Sequence, residues 1–268
     1  MSALAHTSDT RILDRRTLAR DHRTLAAILR PGMDVLDVGA GTGAITAGIA
    51  RAVAPRGSAL GIDRDESMIR LARERHGDVA NLAFEQCDVL ELRDEARFDV
   101  VTAARALQWI EAPALALERM YAATRPGGQV VVLEYTHADL VWEPAPPASV
   151  RRFYDAFLAW RDANGWDNRL GGRLAGMLTA TGFRDVVEKP EDEVAVREQP
   201  GFDDALALWR RVMESMGPTI VGAGFLARTD LEAALGAHRA WSERDARVQR
   251  MVLRAAAGRR LPGARPTG

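Results

Sequence analysis

The chain has 268 residues, of which 47% are hydrophobic and 27% charged, and its formal net charge is −1. This composition is typical of a globular protein with its own core, and the charge argues against a surface built for nucleic acid. The only cysteine, Cys87, excludes an internal disulfide, and the sequence shows neither a signal-peptide pattern nor an apolar run of membrane-spanning length. We therefore expect a cytoplasmic protein, a monomer or homodimer, with no membrane, nucleic-acid or metal partner.

The N-terminal segment is predicted to be helical. Residues 10–30 carry apolar side chains at helical spacing, which indicates one amphipathic helix before a Pro-Gly break. Three arginines, Arg16, Arg20 and Arg23, would then share one helix face. Such a face is usually solvated.

Apolar strands alternate with helices over the next hundred residues. The predicted strands are 33–38, 58–63, 81–88, 97–104 and 127–135, and the predicted helices are 44–53, 67–74 and 114–124. This alternation implies right-handed crossovers and a parallel sheet. Strands that are apolar almost throughout are typical of a sheet covered on both faces. The pattern therefore predicts a doubly wound α/β core.

The second half of the chain shows a different pattern. Residues 136–150 lack a clear period and are predicted to be a loop or lid, followed by helices over 151–164 and 170–181. A strand over 183–197, in which Pro190 marks a kink or an edge, is expected to pair antiparallel with 247–257.

Together these elements predict an α/β fold with a mostly parallel, doubly wound seven-stranded sheet, helices on both faces and an antiparallel edge strand. The expected organisation is an N-terminal helical segment (1–32), a core (33–135), a lid with helices (136–182), edge strands with a helical cap inserted at about 199–243 (183–258), and a flexible tail (259–268).

The first strand runs into a glycine-rich turn, Asp37-Val38-Gly39-Ala40-Gly41-Thr42-Gly43. At the carboxyl end of a parallel strand, glycines let backbone N–H groups approach a ligand closely. The G-x-G-x-G spacing differs from the G-x-G-x-x-G of dinucleotide-binding turns. The Asp37 carboxylate would also repel a pyrophosphate and favour a cationic group on a ligand without phosphate.

Two further acidic residues end the next strands, Asp63 after the second and Asp88 after the third. A carboxylate at the end of strand two can accept hydrogen bonds from ribose hydroxyls. Capping of the helix that begins near Glu66 is the alternative role for Asp63. Since parallel strands end at one edge of the sheet, Asp37, Asp63 and Asp88 would lie in a row and contact an amine, a ribose and an adenine.

Five segments in order carry a family resemblance: VLDVGAGTG, GIDRDESMIRLAR, EQCDVLEL, FDVVTAARALQW and MYAATRPGGQVVVLEY. They resemble the glycine motif, the second motif, the adenine-binding stretch and the strand-four and strand-five motifs of the class I, Rossmann-like S-adenosylmethionine-dependent methyltransferases. Five motifs in order over about a hundred residues make the resemblance specific. It implies S-adenosylmethionine as cofactor and a small molecule as methyl acceptor.

The resemblance also implies cofactor contacts at the positions that match these motifs. Those positions are Asp37, Gly39, Ala40, Gly41, Thr42, Gly43, Asp63, Arg64, Met68, Cys87, Asp88, Val89, Ala104 and Arg105. The first six would hold the methionine part, Asp63 the ribose, and the next five the adenine, while the last two would line the path to the methyl group. In many enzymes of this kind the N-terminal helix closes over the cofactor, so Arg20 is expected to meet the methionine carboxylate.

The acceptor side is marked by fewer residues. The segment Ala106-Leu107-Gln108-Trp109 is similar to one in the trans-aconitate and malonyl-carrier-protein methyltransferases, which esterify carboxylates. An oxygen or nitrogen acceptor, a carboxylate among the options, is therefore expected. Trp109, Trp142 and Tyr135 are candidate pocket residues, with core packing as the alternative. Tyr135 and His137 are weak candidates for proton transfer, with no catalytic role as the alternative.

Two other functions compete with this interpretation. A NAD-dependent oxidoreductase also carries a glycine-rich turn, although the spacing and Asp37 argue against it. A non-catalytic cofactor-binding protein can share the fold, because fold alone does not guarantee activity. A nucleic-acid methyltransferase is disfavoured, since no Asn-Pro-Pro-Tyr-type sequence follows strand four and the sequence has no basic block.

Overall fold

The computed structural model describes residues 10–263, without the side chains of Arg11 and Ile12. The helices are α1 (Thr10–Asp14), α2 (Leu18–Asp21), α3 (Arg23–Ile28), α4 (Ala44–Val53), α5 (Glu66–His76), α6 (Pro113–Ala123), α7 (Ala148–Ala163), α8 (Leu170–Thr181), α9 (Phe202–Gly222) and α10 (Arg228–Arg244). The strands are β1 (Asp34–Val38), β2 (Ser58–Asp63), β3 (Leu82–Gln86), β4 (Phe98–Ala104), β5 (Thr124–Tyr135), β6 (Val141–Glu143), β7 (Arg184–Pro190), β8 (Glu193–Val196), β9 (Val248–Met251) and β10 (Leu253–Arg259). Short 3₁₀ helices lie at Val89–Glu91, Leu107–Trp109 and His137–Asp139.

The chain divides into two compact units. Within the described residues the first unit comprises 10–134, 171–191 and 254–263, and the second comprises 135–170 and 192–253. These boundaries differ from the predicted ones, because most of α8 belongs to the first unit rather than to a lid. Residues 1–9 of the predicted N-terminal segment and 264–268 of the predicted tail lie outside the described residues.

The first unit is built on a seven-stranded sheet with the strand order β3-β2-β1-β4-β5-β10-β7. The pairs β1–β2, β1–β4, β2–β3 and β4–β5 are parallel, and β10 and β7 form an antiparallel pair at one edge. Apolar residues such as Val35 and Leu36 are buried, as expected for strands covered on both faces. The predicted fold class is confirmed.

The N-terminal segment is three short helices, so the prediction of one helix over 10–30 is wrong. Thr17 caps α2 by accepting a hydrogen bond from the Arg20 N–H, and the Asp21 carboxylate accepts one from the Thr17 N–H at 2.6 Å. His22 then leaves helical geometry at φ −152° and ψ 62°. Local side-chain bonds to the backbone therefore interrupt the apolar period, and Arg16, Arg20 and Arg23 do not share one helix face.

The strand predicted for 183–197 is divided at Pro190. Its first part, β7, pairs with β10 in the large sheet, and its second part, β8, pairs with β9 in a separate sheet. Both pairings are antiparallel, as predicted, but the expected single strand over 247–257 is likewise divided between the two sheets. A proline at a strand end is consistent with this change, since it cannot donate to a ladder.

The second unit contains a three-stranded antiparallel sheet in the order β6-β9-β8. Its helices α7, α9 and α10 pack against one another. The sequence did not predict this sheet, and β6 lies within the stretch 136–150 that was expected to be a loop. A three-residue strand is too short to show a period of its own.

Aromatic side chains form the core of the second unit. What we call the aromatic cluster consists of Trp142, Tyr154, Phe157, Trp209 and Trp241, all buried. Its contacting rings have centroids 4.8–6.4 Å apart, mostly edge to face. Within residues 10–263, none of the helices has the length and apolarity that a bilayer crossing requires.

Candidate functional site

The glycine turn after β1 requires glycine for two reasons. Gly39, Gly41 and Gly43 have φ values of 75°, 54° and 80°, a region that side chains disfavour. A Cβ on Gly39 would lie 2.5 Å from the Cβ of Ala106, and one on Gly43 would lie 2.5 Å from Cζ of Phe84. The turn therefore keeps its bare backbone because neighbouring side chains fill the surrounding space.

Asp37, at the end of β1, is buried and only 3% exposed. Its Oδ2 accepts a hydrogen bond of 2.6 Å from the Thr46 hydroxyl on α4. Burial raises the pKa of Asp37 to about 7; the Thr46 bond opposes this rise and the Asp63 carboxylate adds to it. A carboxyl group with so raised a pKa would gain from a cationic partner.

Asp63 ends β2 and holds the glycine turn. Its Oδ2 accepts from the Gly41 N–H at 2.9 Å, and its Oδ1 accepts from the Asp65 N–H at 3.0 Å. Burial raises its pKa, and these two backbone donors oppose the rise. The helix α5 is capped by Asp65, which accepts from the Ser67 N–H at 2.8 Å. The alternative role of Asp63 as the cap of α5 is therefore wrong.

The predicted adenine-side residues follow β2 and β3. Cys87 donates its N–H to the Asp63 carbonyl at 3.0 Å, and burial, with Asp88 next, raises the pKa of its thiol. Asp88 caps a 3₁₀ helix by accepting from the Leu90 N–H at 2.9 Å. Val89 is buried, whereas Met68 is half-buried and Arg64 exposed. Asp88 therefore caps a helix, as was considered for Asp63, but the helix is this 3₁₀ helix and not α5.

The end of β4 carries Ala104 and Arg105. Arg105 is 5% exposed and has a positive φ of 59°. Its N–H donates to the Leu133 carbonyl at 2.7 Å, and its guanidinium donates to the Asp21 carbonyl at 3.0 Å. A non-glycine residue at positive φ in a buried position is held by its surroundings and often lies at a functional site.

The N-terminal segment reaches the site through residues that the sequence did not single out. Leu13 lies 3.4 Å from the position that a Cβ on Gly41 would take. His22 is fully buried, and its Nε2 lies 2.9 Å from the Thr102 hydroxyl on β4. Burial and, secondarily, Arg105 lower the pKa of His22 to about 3. No local pattern marks this histidine, because its partner is 80 residues away.

Arg20 lies on α2 with an exposed side chain. Its guanidinium bonds the Asp21 carboxylate at 3.0–3.1 Å and also the Arg15 carbonyl. Its proposed contact with the methionine carboxylate stays a prediction, although the helix face on which it rested is not formed.

The acceptor-side candidates lie in different units. Trp109, half-buried after β4, belongs to the first unit, whereas Tyr135, His137 and Trp142 belong to the second. The Tyr135 hydroxyl donates to Glu193 Oε2 at 3.4 Å, and its ring stacks on His137 at 5.2 Å. The sequence did not predict Glu193, which lies 58 residues from Tyr135 in the chain.

His137 and Trp142 have clear packing roles in the second unit. His137 is buried, and burial, with Arg161 next, lowers its pKa well below the usual value. Trp142 donates its Nε1–H to Gln249 Oε1 at 2.8 Å and belongs to the aromatic cluster. Core packing, the alternative role for Trp142, is therefore the one its contacts support.

The first unit fits the implied cofactor in three respects. The glycine turn presents backbone without side chains of its own at Gly39, Gly41 and Gly43, so a ligand without phosphate can approach that backbone closely. Asp37 offers a buried carboxylate to an ammonium group. Two buried polar atoms of the same unit, His22 Nδ1 and Thr42 Oγ1, have no hydrogen-bond partner among the described residues. Since buried polar atoms are almost always bonded, such atoms indicate groups that a ligand or water satisfies.

Comparison with known proteins supports this assignment. The family model described as "Methyltransferase domain" matches residues 29–162. Ubiquinone/menaquinone biosynthesis C-methyltransferase UbiE of Burkholderia cenocepacia (strain HI2424) is 37% identical over 133 residues, 49% of this chain and 51% of that protein. UbiE of Burkholderia vietnamiensis is 38% identical over 189 residues, 66% of this chain and 70% of that protein. The chain spans about half the length of most of these relatives.

Solved structures agree on the fold. Haemonchus contortus phosphoethanolamine N-methyltransferase 2, in complex with phosphomonomethylethanolamine and S-adenosylhomocysteine, has a TM-score of 0.54 at 20% identity, covering 91% of this chain and 52% of that one. The [4+2]-cyclase SpnF has a TM-score of 0.54 at 21% identity, covering 90% and 80%. Identities this low show the fold alone. The family model and the UbiE relatives establish that the chain belongs to the class I methyltransferases, whose cofactor is S-adenosylmethionine.

Proposed function

We propose that this protein transfers a methyl group from S-adenosylmethionine to a small molecule. The observation that carries the proposal is the buried Asp37 carboxylate beside a glycine turn that another carboxylate, Asp63, holds in place. This arrangement favours a cationic ligand and disfavours a phosphate. When bound, the cofactor supplies a methyl group on a sulfonium, which is already activated for displacement.

The protein's own residues would bind and orient the reactants. Asp37 would face the ammonium group, Asp63 the ribose hydroxyls, and the turn at 87–89 the adenine. Arg105 would border the methyl, with its backbone N–H bonded to the Leu133 carbonyl and its guanidinium to the Asp21 carbonyl. Orientation and exclusion of water are the contributions that this reaction needs most, since well-oriented reactants gain about 7–11 kcal/mol.

We infer that Tyr135 and Glu193 meet the polar group of the acceptor. Tyr135 ends β5, and its hydroxyl donates to Glu193. His137 is a poor base because burial lowers its pKa well below the usual value. Within the second unit, Tyr135 and Glu193 are therefore better candidates than His137 for contact with the acceptor.

A second acceptor class, a ring carbon, is supported by the names of the relatives. The UbiE proteins are C-methyltransferases of ubiquinone/menaquinone biosynthesis. The family model, however, ends at residue 162 and does not cover α9 or α10. The oxygen or nitrogen expectation rests on the short segment ending at Trp109, so both acceptor classes remain open to the same test.

The test is transfer of a labelled methyl group. The protein is incubated with S-adenosylmethionine carrying a deuterated methyl, together with carboxylic acids, phenols, amines and a demethylated quinol, and products are identified by mass spectrometry. Fragmentation then assigns the label to oxygen, nitrogen or carbon. The proposal expects a labelled product with at least one class. Absence of any product despite S-adenosylhomocysteine binding would favour the non-catalytic alternative.

A further inference from the structure

We propose that His22 binds the cofactor directly, with its Nδ1 accepting a hydrogen bond from the α-ammonium group of S-adenosylmethionine. This inference rests on the proposed function, because it assigns a further residue to the same cofactor site. It adds a contact from the N-terminal segment, outside the motifs that define the glycine turn.

The hydrogen bonds around His22 fix its tautomer. The Thr102 hydroxyl donates its single proton to the Val131 carbonyl at 2.8 Å. Thr102 must therefore accept in its contact with His22 Nε2 at 2.9 Å, so Nε2 carries the hydrogen. Since burial and Arg105 keep the ring neutral, Nδ1 has a free lone pair. His22 is thus an acceptor at Nδ1 at every pH at which the protein would be assayed.

The free lone pair is buried without a partner. His22 has no exposed surface, and its Nδ1 makes no hydrogen bond with the described residues. Leaving a buried acceptor unsatisfied destabilises the folded protein. The cost of keeping a histidine here, where an apolar residue would pack without penalty, indicates that the acceptor serves a ligand.

His22 and Asp37 lie on the same side of the large sheet in the first unit. Thr102, the partner of His22, is the register partner of Asp37 in the β1–β4 pair, so both side chains project from one face of the sheet. On that face Asp37 is bonded by Thr46 of α4, and α2, which His22 follows, packs on α4. Two acceptors, one charged and one neutral, are therefore placed near the start of the glycine turn.

An α-ammonium group fits this pair by its chemistry. It carries one positive charge and three N–H donors, and no acceptor. Asp37 would neutralise the charge and accept one bond, and His22 Nδ1 would accept a second. A carboxylate or phosphate could not make these contacts, because both groups only accept hydrogen bonds.

The test is calorimetry with two ligands and two variants. The ligands are S-adenosylhomocysteine and its deamino analogue, in which hydrogen replaces the α-amino group. His22→Gln keeps an amide donor for Thr102 and removes the Nδ1 acceptor. The matched control, Thr102→Ser, removes a buried methyl group at the same contact but keeps the hydroxyl that accepts from Nε2–H, so the Nδ1 acceptor stays in place. Urea unfolding of both variants reports any loss of stability.

For the wild type we expect tighter binding of S-adenosylhomocysteine than of the deamino analogue. His22→Gln should weaken S-adenosylhomocysteine binding about tenfold or more while changing the binding of the analogue little, since a hydrogen bond to a charged group is lost. Thr102→Ser, which keeps the hydroxyl, should change both affinities by the same factor. A nitrogen NMR signal from His22 Nδ1 should also shift with S-adenosylhomocysteine and not with the analogue.

The inference would be overturned if His22→Gln weakened the binding of both ligands equally or of neither. His22 would then be an anchor or a water-binding residue. If the wild type binds neither ligand, the proposed function itself fails. The two failures are therefore distinguishable.

Discussion

The two units bury polar atoms in different ways. In the first unit, buried or half-buried carboxylates are held by short bonds to backbone and side-chain donors, as Asp63 is by the Gly41 N–H and Asp37 by Thr46. In the second unit, the Nε1 atoms of Trp209 and Trp241 are buried without a hydrogen-bond partner among the described residues. The first unit organises polar groups around a site, whereas the second organises rings into a core. An unpartnered buried atom such as His22 Nδ1 therefore indicates a ligand in the unit that also organises carboxylates, whereas the unpartnered indole N–H groups belong to rings packed in a core.

Substitution of Gly39 should cause the largest loss in the first unit. In Gly39→Ala the new Cβ would collide with the Ala106 Cβ, 2.5 Å away, at a φ of 75°. We expect a loss of about 2–5 kcal/mol in the free energy of unfolding, from overpacking and positive φ together. Gly32→Ala is the matched control, since Gly32 has φ 95° but nothing within 4 Å of its Cβ position. Similar losses for the two variants in urea unfolding would show that the close approach to Ala106 is unimportant.

Asp37 should make stability depend on pH. Its pKa is about 7 in the folded protein against an ordinary value of 3.8, so the folded state favours the protonated carboxyl. The resulting stabilisation is complete below pH 3.8 and is lost as pH rises to about 7, at no more than about 1.4 kcal/mol per pH unit. Asp37→Asn should remove this slope and be the more stable protein at pH 8.

The affinity for S-adenosylhomocysteine should increase with pH, whereas the stability decreases. Because an ammonium group is attracted by the ionised carboxylate, wild-type affinity for S-adenosylhomocysteine should increase through pH 7, and the affinity of Asp37→Asn should not. Between pH 5 and 8, the stability and the affinity of the wild type should change more than those of Asp37→Asn. If neither quantity changes more in the wild type, the assignment of Asp37 is contradicted.

Substitution of Asp63 should change ligand affinity in the first unit. Asp63→Asn should weaken S-adenosylhomocysteine binding about 10- to 100-fold, because bonds between a carboxylate and hydroxyl groups are replaced by weaker ones. The control Asp65→Asn alters only the cap of α5, so its affinity should stay near that of the wild type. Calorimetry that finds equal affinities for both variants would remove Asp63 from the site.

Substitutions in the aromatic cluster should give the smallest difference in the free energy of unfolding. Trp142→Phe removes a bonded indole N–H, whereas Trp209→Phe removes an N–H without a partner among the described residues. Both variants lose the same volume, so Trp142→Phe should be the less stable by about 1 kcal/mol in urea unfolding. Equal stabilities would mean that the bond from Trp142 to Gln249 contributes nothing.

The sequence predicts the first unit well because its signals are local. A short apolar strand followed by glycines, and an acid at a strand end, are patterns within about ten residues of each other. The positions of Asp37, Asp63 and the glycine turn at one sheet edge follow from strand order. The interruption of the N-terminal helix did not follow, because the bonds of the Thr17 and Asp21 side chains to the backbone override the apolar period.

The second unit was predicted less well because its contacts are distant in sequence. Trp142 packs against Trp209 and Trp241, and β9 pairs with both β6 and β8. Neither contact leaves a pattern in either segment alone. Glu193 was missed for the same reason, since it lies 58 residues from its partner Tyr135 in the sequence.

The most direct test of the central claim is calorimetry of the wild-type protein at pH 8 with S-adenosylhomocysteine and, separately, NADH. The account predicts one saturable site for S-adenosylhomocysteine and no binding of NADH, whose pyrophosphate the Asp37 carboxylate repels. Binding of NADH by folded protein that gives no heat with S-adenosylhomocysteine would contradict it.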